Sequence, residues 1–74
     1  MRELVLFLAK SLVVHQDQVT VSEERNEEGL VLRLTVAPED VGKVIGKQGR
    51  IAKAMRTVLK AAHHSDEKIF LEIS

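Results

Sequence analysis

The chain has 74 residues, 45% of them hydrophobic and 3% aromatic, with no cysteine and eleven basic residues balanced by eleven acidic ones. This length holds one domain, residues 1–74, with a lean aliphatic core, and excludes a second. Without cysteine there is no disulfide or thiolate metal site to support that core, and the expected setting is cytoplasmic.

Residues 2–14 contain no Gly or Pro and place Leu4, Leu8 and Leu12 at helical spacing, with Leu6 and Val13 on the opposite side, which predicts a helix covered on two faces. Its apolar run from Leu4 to Ala9 is bracketed by Glu3 and Lys10 and is too short for a membrane span or a secretory signal. Val19 and Val21 then alternate with Thr20 and Ser22. Leu30, Leu32, Leu34 and Val36 alternate with Val31, Arg33 and Thr35, so a β-hairpin is expected across the polar loop Arg25 to Gly29.

Pro38 suits a first helical position, Glu39 and Asp40 suit a helix N-terminus, and Gly46 is placed to stop this helix after about two turns. A second helix is expected from Gly49, with Ile51, Met55, Val58, Leu59 and Ala62 inward and Arg50, Lys53, Arg56 and Lys60 outward. Ile69, Leu71 and Ile73 alternate with Phe70 and Glu72 in a closing strand over residues 68–73. The order α-β-β-α-α-β implies an α+β fold: a three-stranded mixed sheet with three helices on one face, the last two strands parallel through a right-handed crossover.

The zero net charge hides a strong segregation. From Val41 to His64 there are six Lys and Arg residues and no Asp or Glu, whereas residues 1–40 carry four bases against eight acids. That positive stretch contains a turn bounded by Gly46 and Gly49, where backbone without Cβ atoms admits close approach of a ligand. Phosphate oxygens fit the free N–H groups at the start of the following helix, with Lys47, Arg50, Lys43 and Lys53 around them. Val44, Ile45 and Ile51 or Ala52 supply an aliphatic surface for unstacked bases. A phosphate track beside an apolar platform suits a single strand better than a duplex.

Val44-Ile45-Gly46-Lys47-Gln48-Gly49 matches the VIGxxG signature of KH domains, and the element order resembles the type II, mainly bacterial, arrangement. The resemblance covers essentially the whole chain and is closest in kind to the small stand-alone single-KH proteins of bacteria, the KhpA type. It implies a type II KH fold that clamps about four nucleotides of single-stranded RNA between the loop and a hydrophobic groove. Such a protein would serve as a post-transcriptional regulator or RNA chaperone. Carried over by position, Gly46, Lys47, Gln48 and Gly49 hold the RNA backbone, and Val44, Ile45 and Ala52 line the groove. Ala52 stands where many KH domains have a large aliphatic, implying a shallower or shifted floor. The acidic loop carrying Glu23, Glu24, Glu27 and Glu28 is expected to border the groove. The resemblance also implies a homodimer and pairing with a second, larger KH-containing RNA-binding protein.

Other readings rank lower. His15, His63 and His64 have no carboxylate pair or Cys at ligand spacing, so no metal, cofactor or catalytic role is expected. Gly42 to Gln48 lacks the four-residue glycine spacing and the Ser or Thr of a P-loop. A helix-turn-helix DNA reader would have only Gln48 and Arg50 near the helix start to reach base edges. The serious alternative is a dimerisation or adaptor module acting through protein contacts, favoured by the apolar first helix.

Overall fold

The computed structural model describes residues 1–74, in the order α1 (Arg2–Leu12), β1 (Thr20–Asn26), β2 (Gly29–Thr35), α2 (Val41–Ile45), α3 (Arg50–Ala62) and β3 (Ile69–Ile73). Short 3-10 turns at Gln16–Gln18, Pro38–Asp40 and Lys47–Gly49 link them. The sheet order is β1-β2-β3, with β1 antiparallel and β3 parallel to β2, as the alternation and the crossover argument require.

Leu30, Leu32 and Leu34 of β2 are at most 1% exposed and form the floor of the core. They pair across the parallel register with Ile69, Leu71 and Ile73, so two strands present one aliphatic face to the helices. Leu59 of α3 is fully buried on that face, and Leu59→Ala is expected to cost about 2–5 kcal/mol, read from the shift in a urea unfolding curve.

The inward faces of two helices differ from the sequence expectation. In α1 the fully buried residues are Val5 and Ala9, followed by Val13 just past the helix end, while Leu4, Leu6 and Leu8 pack around them half-buried and Leu12 is exposed. Small side chains take the line of closest approach to the sheet and the leucines fill the margins. In α3 the buried stripe is Ala52, Met55 and Leu59, and Val58, roughly 90° round from it at 100° per residue, is 41% exposed. Ala62 is exposed as well, at the end of the helix.

The β1-β2 connection is also tighter than expected. Asn26 pairs with Gly29, leaving a two-residue turn, Glu27-Glu28, in place of a five-residue loop. The Asn26 side-chain Oδ1 accepts from the N–H groups of Glu28 at 2.8 Å and Gly29 at 3.1 Å, which lets the strands run closer to the turn. A Cβ on Gly29, where φ is +147°, would stand 2.3 Å from the Lys68 carbonyl oxygen, so only glycine lets the hairpin close against the start of β3.

Asp40 is 1% exposed, and its carboxylate does not cap α2. It turns instead toward the end of α1, accepting from the N–H of His15 at 2.9 Å and of Val14 at 3.2 Å, with Lys43 Nζ at 3.6 Å. Burial by itself pushes this carboxyl up. The His15 and Val14 N–H bonds and the nearby His15 and Lys43 charges outweigh it and hold the group below its ordinary 3.8. A carboxyl lowered in the folded state contributes stability above its unfolded value and loses it as pH falls through the folded one. Asp40→Asn is therefore expected to be less stable than the wild type at pH 7, with the two urea midpoints converging below about pH 3.8. A gap that stayed constant across that range would show that the charge is not what Asp40 contributes.

Candidate nucleic-acid interface

The short helix α2 and the long helix α3 meet at the glycine turn. Helix α2 has five residues and is anchored by Val44, which is fully buried, and it ends where the Gly46 N–H donates to the Gly42 carbonyl at 2.8 Å. The chain reverses through Gly46 (φ +77°, ψ 173°), Gln48 (φ +58°, ψ 25°) and Gly49 (φ +73°, ψ 15°), and α3 starts at Arg50. Gly46 occupies a region of backbone space essentially restricted to glycine. A Cβ there would also meet the Ile51 side chain at 2.6 to 2.9 Å. Ile51 therefore packs directly onto the turn because Gly46 is bare. Gln48 holds a left-handed conformation that costs a non-glycine residue roughly 1–2 kcal/mol, and its Oε1 accepts from Arg50 Nη2 at 3.1 Å.

The candidate residues divide into three groups. Lys47, Gln48, Arg50 and Lys53 are exposed around the turn, and Ile45 and Ile51 are half-buried beside it. Lys43 is exposed but shares its ammonium with Asp40. Val44 and Ala52, expected to line the groove, belong to the interior, with 0% and 4% exposure. A helix of five residues needs one side chain driven into the core to hold it, and Val44 is that side chain; Ala52 is the first inward position of α3. The aliphatic surface at the turn comes from Ile45 and Ile51 instead. Further along α3, Ala54 and Val58 face outward beside Arg50, Lys53 and Thr57 in a shallow depression, a surface that reading Val58 as inward had missed.

The electrostatics follow from where the acids go. Glu24 and Glu72 pair with Arg33, Glu67 with Arg25 and His63, and Glu39 with His15. Of the six Lys and Arg residues in the positive segment only Lys43 meets a carboxylate, so Lys47, Arg50 and Lys53 keep their full charge for an anion. The acidic hairpin turn does not border the glycine turn. Leu30 N–H donates to the Lys68 carbonyl at 2.8 Å, which places the Glu27-Glu28 turn where β3 begins, beyond the C-terminal end of α3. The glycine turn lies at the other end of that 13-residue helix, roughly 20 Å away at 1.5 Å per residue. The topology forces this, since β2 and β3 start side by side and α3 must run back toward that start.

His63 is not set in a relay: Ser65 Oγ at 2.9 Å and Glu67 Oε1 at 3.6 Å both contact its Nε2, whereas a nucleophile and its orienting acid need opposite ring nitrogens. No helix is long and apolar enough to cross a membrane.

A helix, a GxxG turn and a second helix with a basic outer face, set on a three-stranded mixed sheet in α-β-β-α-α-β order, define a type II KH domain. Residues 2–73 match the KH domain of KhpA/KhpB, and the chain belongs to this family. It is 57% identical over 74 residues to the RNA-binding protein KhpA of Clostridium perfringens, covering 99% of each chain. The RNA-binding protein KhpA of Clostridium acetobutylicum is 59% identical over 68 residues, 92% of this chain and 91% of the relative. That of Treponema pallidum is 51% identical over 72 residues, 96% of this chain and 90% of the relative. No solved structure matches the chain.

Proposed function

We propose that this protein binds single-stranded RNA without catalysis. Phosphates lie against the glycine turn and the start of α3, and bases rest on Ile45 and Ile51. The observation that carries this reading is the set of unpaired cations, Lys47, Arg50 and Lys53, gathered around a turn whose glycines leave the backbone open. The names of the relatives, RNA-binding proteins KhpA, point the same way. Binding of this type tolerates many sequences, because backbone contacts carry most of the affinity, and it fits a post-transcriptional regulator or RNA chaperone acting in the cytoplasm.

A fluorescence-anisotropy titration of short single-stranded RNA, duplex RNA and single-stranded DNA at two salt concentrations tests the reading. Single-stranded RNA is expected to bind best, with log affinity falling against log salt by roughly 0.7 per phosphate contact. Lys53→Ala is expected to reduce that slope by about 0.7. An equal affinity for duplex RNA, or an affinity untouched by salt, would remove the single-strand mechanism.

A second reading, protein association, is favoured by one further observation. Phe7 is 68% exposed on the side of α1 opposite Val5 and Ala9, and Val14, also 68% exposed, follows past the helix end. This surface fits a second copy of the chain, and equally the larger KH-containing RNA-binding protein that the family resemblance implies. Self-association would place two RNA sites on one particle and raise their combined affinity. Sedimentation at tens of micromolar, a concentration suited to weak association, is expected to show a dimer that Phe7→Glu converts to monomer. A wild-type monomer throughout would discard the homodimer.

A further inference from the structure

A three-stranded sheet has two free edges, and in this protein each is met by an arginine. Leu30 N–H donates to Lys68 O at 2.8 Å, and Ser74 N–H donates to Leu34 O at 2.9 Å. Even-numbered residues of β2 and β3 therefore bond to one another. By the two-residue alternation of a strand, Ile69, Leu71 and Ile73 turn their N–H and C=O groups away from the sheet. The odd-numbered residues of β2 bond to β1, where the register sets Arg33 opposite Ser22 and Thr35 opposite Thr20. On β1 the outward backbone groups are consequently those of Val21, Glu23 and Arg25.

On both edges one of these outward carbonyls is already taken. Arg2 Nε, from the first turn of α1, donates to Val21 O at 2.9 Å. Arg56 Nη2, from the middle of α3, donates to Leu71 O at 3.0 Å. The two arginines come from different helices and reach opposite edges, yet make the same contact. A strand adding to either edge needs those carbonyls for its own N–H groups, and it would also have to displace a charged side chain lying across the edge.

We infer that Arg2 and Arg56 are edge seals, which keep this sheet from adding a strand of a second copy of the chain. Arg56 is thereby committed to the sheet although it lies within the positive segment. A corollary, which rests on the RNA reading above, is that it contributes no phosphate contact.

The test uses the full chain without RNA. The double variant Arg2→Ala, Arg56→Ala is expected to build species larger than any wild-type assembly over hours at high concentration, with the roughly 4.7 Å spacing of newly paired strands. Restoring a donor in Arg2→Lys, Arg56→Lys is expected to suppress most of that growth. A folded double-alanine variant with the wild-type size distribution would overturn the proposal. If the double variant does not fold, Arg2→Ala alone exposes the β1 edge from an exposed position; growth of this variant supports the seal, and its absence overturns it. A mere tether between helix and sheet would lower stability in the alanine variants without producing strand-paired assemblies. The corollary is read separately at nanomolar protein: Arg56→Ala is expected to keep the wild-type salt slope, and a slope reduced as in Lys53→Ala would place Arg56 on the RNA. Because the assembly measurement contains no RNA, its failure and the failure of the RNA reading are distinguishable.

Discussion

Lys47→Asp combined with Gln48→Asp is expected to weaken single-stranded RNA binding at least about 100-fold while leaving the fold intact. Lys47 is exposed and makes no ion pair, so the fold has no use for its charge. Gln48 sits at φ +58°, where Asp is accommodated better than Gln, so the second substitution eases the backbone. At the ligand the effects add. One charge-assisted phosphate contact disappears, two carboxylates face the phosphates, and a carboxylate at position 48 is placed to take up the Arg50 guanidinium that now bonds Gln48. About 3 kcal/mol in total is a modest sum for these losses and corresponds to two decades in affinity. Circular dichroism and a urea curve would confirm the fold, and anisotropy with a single-stranded RNA would read the affinity. A folded variant that binds as the wild type does would take the glycine turn out of the mechanism.

Gly46→Ala is expected to cost about 3 kcal/mol of stability, from a disfavoured backbone conformation together with overpacking. The added carbon would stand 2.6 Å from Ile51 Cγ1 and 2.9 Å from its Cβ, and Ile51 is half-buried and cannot simply swing away. Gly49→Ala is the control: φ is +73°, but nothing lies within 4 Å of the new carbon, so only the left-handed conformation, about 1–2 kcal/mol, opposes it. Urea midpoints of the two variants should differ accordingly. Equal midpoints would mean that Ile51 yields, and that packing on the turn does not decide which glycine is indispensable.

The division between chain and fold can be argued from these residues. Strand alternation in Leu30, Leu32 and Leu34 and in Ile69, Leu71 and Ile73 made the sheet legible. The glycine pair, the run of six bases without an acid and the VIGxxG motif marked the turn and its charge, because these are local properties that need no partner to be read. What was not legible depends on neighbours distant in sequence. Val44 and Ala52 look like groove residues until a five-residue helix has to be anchored to a core. Val58 looks inward until the sheet fixes which stripe of α3 it accepts. The acidic turn becomes remote from the site only once β2 and β3 start side by side. The carboxylate of Asp40 and the guanidinium groups of Arg2 and Arg56 likewise find backbone partners 15 or more positions away. Periodicity and local charge are written in the chain itself, whereas the direction a side chain takes is settled by whichever element packs against it.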